Sequence, residues 1–567
     1  MVPVLLALVL QQPSVGAAPG IGPVTTPASQ PTGRAAPGGA GRPALYRPVL
    51  ADLERILSDL ERFDALAEPP TAAESGAAAL QLAAPPALAV PQRDSELGVR
   101  QRVRLSLAQA LELAVSNSPS VAQSVSAVQQ QRALLRAAWG RFAPTLSLGL
   151  AGSGGQIQSF EKALVGNTGS YAPTSPFSVE SGAWKAALNG NVGAQLSVSE
   201  TYVLLDFGRA AALARAKDQL RASNQTYADR LRQLQLQISE TYYAIQLAQL
   251  RKRIEEAEVF NNQAVRDQAG ALLASGLVPR VDLYRADAAL QQSRFQLMQV
   301  EADLLSQERQ LSNQVNVPFD VTLLATEPVQ LQPPWPLDLS RTLTQGFRDN
   351  PQLQAIEAAR SALMRQADEQ AAALLPSVSL FISAQIGQIN ESETRRRNTG
   401  CCGAAVIPET FNSNLGWAAG VRLNWTLMDG GVSRGLSEAS RAAASGYAQQ
   451  QALERNEIRQ RLEQAFFQHQ AALSQVIAAR SAVKAAREAF RDMRARYQLG
   501  LADYTDVSAT ILSLTQAMKQ KAIAITTANI SYARMLRDLL PVPTSPEQPV
   551  LLPITLPEPA AVGSAAP

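Results

Sequence analysis

Two hydrophobic periods alternate along the chain. From Phe207 to Ala274 there is no proline, and Leu213, Ala216, Leu220, Ser223, Tyr227, Leu231, Leu234, Ile238, Thr241 and Ile245 recur at steps of three or four. That spacing predicts one long helix over 207–274 with a seam of small and medium residues. At 1.5 Å per residue it extends about 100 Å. Residues 431–498 repeat the pattern, again without proline. Tyr243, Leu247 and Leu250 begin a second apolar line on the first helix. A helix with two seams packs against two neighbours, as in a ring of helices. The periodicity alone fits an ordinary long coiled coil equally well.

Between the helical stretches the period changes to two. In NLGWAAGVRLNWTL, Leu415, Trp417, Ala419, Val421, Leu423, Trp425 and Leu427 alternate with Asn414, Gly416, Ala418, Gly420, Arg422, Asn424 and Thr426. Val378, Leu380, Ile382, Ala384 and Ile386 alternate likewise, as do Leu146, Leu148, Leu150 and Val192, Ala194, Leu196, Val198. One apolar face and one polar or small face over about ten residues is the pattern of outer-membrane barrel strands. Trp417 and Trp425 are placed to face lipid. A half-buried sheet of a soluble protein is the other reading of the same alternation. Four such strands do not close a barrel, and an open edge in lipid leaves backbone groups unpaired at several kcal/mol each. In lipid the chain must therefore share one barrel with sister copies, two for eight strands or three for twelve.

The elements come in two similar sets. NSPSVAQ at Asn117 matches DNPQLQA at Asp349, and the next prolines, Pro144 and Pro376, each follow 25 residues after Pro119 and Pro351. LLDFGR, containing Asp206 and Gly208, matches LMDGGV, containing Asp429 and Gly430. GLVPRVD (Gly276–Asp282) lies 70 residues after Asp206, and GLADYTD (Gly500–Asp506) lies 71 after Asp429. ETYYAIQ at Glu240 faces EQAFFQH at Glu463. Landmarks at nearly constant spacing mark a tandem repeat. Each half reads helix, strand, loop, strand, very long helix, turn, helix. The predicted class is mainly α with a membrane β-barrel.

The boundaries follow. Residues 1–17 read as a secretory signal lacking a basic start, with an apolar run too short to span a bilayer. Residues 18–102 form an Ala/Pro-rich extension with one amphipathic helix at 45–63. The first repeat covers 103–318, a linker 319–339, the second repeat 340–540, and a Pro-rich tail 541–567.

Composition narrows the chemistry. Net charge is +3, which gives no reason to expect nucleic acid as a partner. One histidine, His469, and two adjacent cysteines, Cys401 and Cys402, leave little for metal or nucleophile chemistry. No catalytic set, metal site or cofactor is expected. DFG at Asp206–Gly208 lacks the other kinase signatures and reads as a strand-to-helix corner. Gly149–Gly155 lacks the Lys-Ser/Thr of a phosphate loop. Arg395–Arg397 beside the cysteines reads as an exterior loop. His469 reads as a surface or interhelical packing residue.

These landmarks together resemble the outer membrane efflux proteins typified by TolC. The resemblance covers roughly 103–540, in order. It implies a homotrimer whose twelve-strand barrel sits in outer-membrane lipid and continues into a long periplasmic α-barrel. It implies an exit duct for a drug-efflux pump or type I secretion system, partnered by a periplasmic adaptor (membrane fusion protein) and an inner-membrane transporter. The two Gly-Leu turns, Gly276, Leu277, Gly500 and Leu501, would be adaptor-docking tips. Asp506 would stand in a ring of carboxylates that repel one another and select cations, with Asp503 at the same level. Asp282 would latch neighbouring tips to Tyr497. Ala509 and Ala502 replace a second acid and a latch arginine of the family pattern, which implies a single ring. By their own positions Asp282 and Asp506 also read as first-turn or capping carboxylates. The competing class is a periplasmic coiled-coil adaptor or scaffold, which carries no lipid-facing strands.

Overall fold

A computed structural model describes residues 82–162 except 89, 92 and 94–96, then 184–276, 278–397, 410–498 and 501–556, with backbone alone over 152–162, 184–193, 388–397, 410–414 and 497–498. The expected signal segment, the 45–63 helix, Leu277, Cys401, Cys402 and Gly500 lie outside the described residues.

Each half opens with a short helix followed by a proline-started one. Helix α1, Leu107–Asn117, is closed by a reciprocal box between Ser106 and Gln109, and α2, Pro119–Gly140, begins on its proline. In the second half α5, Leu339–Arg348, is capped by Asp338, and α6, Pro351–Ala371, starts on Pro351 with the Asn350 side chain accepting from the amides of Gln352 and Leu353. Proline suits the first helical position because its missing donor would be unpaired there anyway. This explains why NSP and DNP both open helices.

The long helices match their sequence pattern. Helix α3 is Phe207–Ala274, 68 residues, and α7 is Val432–Gln498, 67 residues. Each turns back into a 36-residue helix, α4 at Arg280–Val315 and α8 at Tyr504–Leu539. The two seams of α3 serve two neighbours along its length: α2 and α6 toward its start, α4 and α8 beyond. Buried Leu231, Leu234, Ile238, Tyr242 and Ile245 lie on one seam, and Leu250, Ile254 and Ala257 continue into the cluster with Phe490, Ile511 and Leu514.

The strands form two separate sheets. β2 (Thr145–Lys162), β3 (Trp184–Leu205), β5 (Ser377–Arg397) and β6 (Thr410–Asn424) make one antiparallel sheet in that order, joined across the repeat by the β3–β5 pair. β2 and β6 are its edges. β6 ends at Asn424, so Trp425 and Leu427 stand beyond the strand although the alternation continues through them. The Trp425 indole instead donates to the Leu374 carbonyl at 3.1 Å.

A parallel pair at the waist has no counterpart in the sequence reading. β1 (Gln101–Leu105) pairs with β4 (Val321–Ala325), which lies inside the stretch read as a linker. Their inward residues Val103, Leu105, Val321 and Leu323 join the main core with α1 and α3. The Tyr242 hydroxyl fastens both strand ends, donating to the Leu105 carbonyl at 3.0 Å and accepting from the Glu327 amide at 3.3 Å. Part of the Pro-rich tail also packs here. Val542, Leu552 and Leu556 lie on the core, the Leu556 amide donates to the Tyr532 hydroxyl, and Glu547 pairs with Arg132 of α2.

Candidate functional site

The four-stranded sheet has two chemically distinct faces. Register places Leu148, Val198, Ala384 and Trp417 in one row, and Leu150, Leu196, Ile386 and Leu415 in the next. These large apolar side chains are exposed, Leu415 and Trp417 by more than 80%. In water such a face is unfavourable at about 25 cal/mol per Å². On the opposite face the rows read Ser147, Ser199, Ser383 and Ala418, then Gly149, Ser197, Gln385 and Gly416. Ser147 and Ser199 share a hydrogen bond of 2.6 Å, and Gln195 donates to Gln385 at 2.9 Å. An apolar face that no described residue covers, backed by a hydroxyl- and amide-lined face, is the division a strand makes between lipid and water.

Aspartates join the strands to the long helices. Asp206 caps α3, its carboxylate accepting from the Gly208 amide at 2.8 Å. Asp429 does the same for α7, accepting from the amides of Gly431 at 3.0 Å and Ser433 at 2.7 Å. Bonds from Ser433, with a smaller one from Gly431, hold the Asp429 carboxyl below its ordinary range. Gly430 and Gly431 both take positive φ there, a conformation that costs an L side chain about 1–2 kcal/mol. Pro144 and Pro376 stand immediately before β2 and β5. Arg209, which the sequence reading passed over, clamps the first corner by donating to the carbonyls of Arg141 and Val203.

The far ends of the helices carry the two Gly-Leu turns. Gly276 has φ +71° with open space around its Cβ position, and its amide returns to the Leu273 carbonyl. In the second turn the amide of exposed Leu501 returns to the Arg496 carbonyl at 2.9 Å, the six-residue closure of a Schellman helix end. Asp503 caps α8 by accepting from the Asp506 amide at 3.0 Å. Asp282 and Asp506 each lie in the first turn of their helix. Asp282 is 3.6 Å from Arg285. Asp506 is exposed. The Tyr497 side chain lies outside the described residues, so its expected pairing with Asp282 has no geometry here.

Buried polar groups concentrate at the waist. Arg232, 3% exposed, donates to the carbonyls of Asp538 and Asp349. Burial pulls its pKa down to about 10 against the support of Asp538 and Asp229. Below it, Lys519 joins α8 to α3 through buried Glu255 at 2.8 Å and Glu258 at 3.4 Å. Burial pushes the Glu258 carboxyl up, offset in part by Lys519. His469 is buried between α7 and α8, so of the two expected places for it the interhelical one is found. A periodicity search sees such groups only as interruptions of a seam. Among the described residues no cluster of metal-binding side chains occurs, and no helix is long and apolar enough to cross a membrane.

Two repeated sets of long helical hairpins running into an amphipathic sheet with an uncovered apolar face define a membrane channel subunit. The family model for outer membrane efflux proteins matches residues 110–317 and 345–537, and the chain belongs to that family. The family consists of channels rather than enzymes. The chain is accordingly an outer-membrane efflux channel subunit that extends into the periplasm. The fold is similar to that of the outer membrane protein VceC from Vibrio cholerae, at TM-score 0.56 and 18% identity over 76% of this chain and 95% of that one. It is also similar to the Campylobacter jejuni CmeC outer membrane channel, at TM-score 0.56 and 13% identity over 80% and 94%. The open state of the Neisseria gonorrhoeae MtrE channel gives TM-score 0.51 and 16% identity over 76% and 87%. No curated protein matches the chain.

Proposed function

We propose that three copies of this chain close one twelve-strand barrel and form a passive exit duct, gated at the periplasmic tips, for a tripartite efflux pump or type I secretion system. The observation that carries the reading is the pair of edge strands, β2 and β6, bounding a sheet whose apolar face no described residue covers. In lipid each open edge leaves a row of unpaired amides and carbonyls, and pairing β6 of one copy with β2 of the next removes every edge. Three copies give an even strand number in the range of known membrane barrels and a lumen wide enough for solutes.

The rest of the duct follows from connectivity. Helices of about 100 Å carry the wall away from the membrane to the two turns. Those turns at Gly276, Leu277, Gly500 and Leu501 meet a periplasmic adaptor, which links the duct to an inner-membrane transporter. Energy comes from the transporter. Opening is a shift of the tip hairpins between two packed arrangements. Asp506 lines the closed aperture, and Asp282 with Tyr497 holds adjacent tips together. Trp417 and Trp425 face the lipid side of the wall.

Mass measurement tests the assembly. The detergent-solubilised protein is expected at three times the 60.5 kDa chain mass, with single-channel currents in planar bilayers. A lone subunit without currents overturns the reading. Extraction separates it from a periplasmic adaptor or scaffold, which leaves the membrane fraction in high salt or urea, whereas a barrel needs detergent.

A further inference from the structure

We propose that Arg422 forms a ring of positive charge at the helix-proximal end of the barrel lumen, and that this ring favours passage of anionic solutes through that level of the duct. The inference rests on the reading above, in which the polar sheet face lines the lumen of a closed barrel.

Arg422 lies two residues before the end of β6, paired with Ser379 of β5, which is paired in turn with Val203 of β3. Its side chain belongs to the polar face. The guanidinium stands 4.9 Å from the centroid of the Phe381 ring, one register row away on the same face. Opposite Phe381 is Gly420, where a Cβ would come within 3.3 Å of the ring. The glycine therefore leaves room for the ring to lie over β6, and the ring supports one flat side of the guanidinium. The edge N–H groups remain available to a solute.

Among the sheet residues whose side chains are described, no carboxylate shares the face of Arg422. Over residues 145–151, 195–203, 377–387 and 416–424, the polar face consists of Ser, Thr, Gln, Asn, Gly, Ala, Val203 and Phe381, with Arg422 as its one charged residue. Glu200 is in the register row of Leu146 and Ile382, on the apolar face. Closing the barrel does not change this. The strand that would meet β6 is a neighbour's β2, whose polar-face positions are Thr145, Ser147, Gly149 and Ala151. The next carboxylate residue along β5 in that alternation, Glu391, is ten positions beyond Phe381, or about 33 Å at the usual strand rise. At the corner the Asp429 carboxylate is held by two backbone amides.

An arginine stays charged at any physiological pH, and its planar fork matches carboxylate and phosphate oxygens. In a lumen walled by low-dielectric sheet and lipid, a ring of such charges raises the local concentration of anions. The duct would then present opposite signs at its two ends: carboxylates from Asp506 at the tips and guanidinium groups at the barrel base.

Reversal potentials of single channels in a KCl gradient test this. Arg422→Gln is expected to raise the potassium-to-chloride permeability ratio by at least about twofold, while Arg422→Lys keeps the wild-type ratio. Ser379→Glu, which sets a carboxylate directly opposite Arg422 without removing it, is expected to move the ratio in the same direction as Arg422→Gln. Conducting Arg422→Gln and Ser379→Glu channels with the wild-type ratio overturn the ring and leave the conduit standing. Absence of any wild-type channel overturns the conduit reading, and the ring with it.

Discussion

The Arg232 guanidinium donates to the Asp538 carbonyl at 2.9 Å and to the Asp349 carbonyl at 3.0 Å. One side chain of α3 thus ties the end of α8 to Asp349, two residues before α6 starts, and both helices pack beside α3. The first half makes the corresponding junction differently: the Asn316 side-chain amide donates to the Asn117 carbonyl at 3.0 Å, joining the end of α4 to the end of α1, two residues before α2 starts. Arg232→Ala takes the donor from the Asp538 and Asp349 carbonyls, the first of these bonds buried and the second part-buried, and removes a cation next to the buried Asp538 side chain. A loss of about 3–5 kcal/mol is expected. Urea unfolding of the detergent-solubilised protein, followed by helical circular dichroism, measures it, and an unchanged midpoint would show that the junction does not depend on this residue.

Much of this architecture is legible in the residues, and the parts that are not share a cause. The two long helices stand out because uninterrupted 3.6-period seams and the absence of proline act locally. The same holds for the alternating strands and for the Asp-Gly corners. β1 and β4 escaped because parallel pairing between positions 220 apart leaves no local trace. Five-residue strands at the margin of a Pro-rich stretch also carry little pattern. The expected strand through Trp425 and Leu427 stops at Asn424 because alternation describes side chains and not hydrogen bonding. Arg232, Tyr242 and Glu255 read as breaks in a seam, whereas each is a buried polar group with a named partner. The tip residues are legible as turns and first-turn acids, whereas the roles proposed for them need contacts between copies, which one chain does not contain.

His469 makes stability depend on pH. Its Nδ1 donates to the Ala528 carbonyl at 3.1 Å, while Nε2 is buried without a partner. Burial lowers its pKa from 6.5, and the Ala528 carbonyl offsets part of this. The unfolded chain therefore binds a proton more readily than the folded one. The stabilisation is complete above pH 6.5 and declines as pH falls from 6.5 toward the lower folded value. Asn at 469 keeps an amide donor and no titrating group. Wild-type protein should lose more stability than His469→Asn on going from pH 7.5 to 5.5, in paired thermal melts. Parallel losses would remove the histidine from the account.

Gly276 separates backbone strain from packing. Its φ is +71°, and the space that a Cβ would occupy there has no neighbour within 4 Å. Gly276→Ala therefore meets only the left-handed penalty of about 1–2 kcal/mol. The turn is at the end of the hairpin, and Gly276 itself is exposed. Global melting should hardly change, whereas hydrogen exchange of the last turn of α3 should accelerate and adaptor capture should weaken. Normal exchange and capture in the variant would mean that the turn tolerates the strain and is not the docking element.

The two sheet faces predict opposite outcomes for the same substitution. Trp417 and Ser383 occupy adjacent strands one row from direct pairing, on opposite faces. Trp417→Arg sets a charge against lipid at a cost of about 2–4 kcal/mol near the bilayer midplane, while Ser383→Arg sets it in the lumen at little cost. Heat-resistant oligomer in the outer-membrane fraction should fall for the first and persist for the second. Equal behaviour would contradict the assignment of the faces.

Asp506 and Asp282 occupy equivalent first-turn positions yet differ in their surroundings. Asp282 has Arg285 at 3.6 Å with its side chain 21% exposed, whereas Asp506 is exposed and has no ion-pair partner among the described residues. An unneutralised carboxylate repeated in three copies around a closed aperture attracts cations, and a paired one contributes far less. Asp506→Asn should therefore lower the potassium-to-chloride permeability ratio of the wild-type channel without altering its assembly. Asp282→Asn should leave selectivity nearly unchanged and instead raise resting conductance, as should Tyr497→Phe, because in the proposed latch these two act between neighbouring tips. Single-channel recordings of the three variants read both quantities at once. Unchanged selectivity in Asp506→Asn would place that carboxylate outside the ion path, and unchanged conductance in the other two would leave the closed tips without this latch.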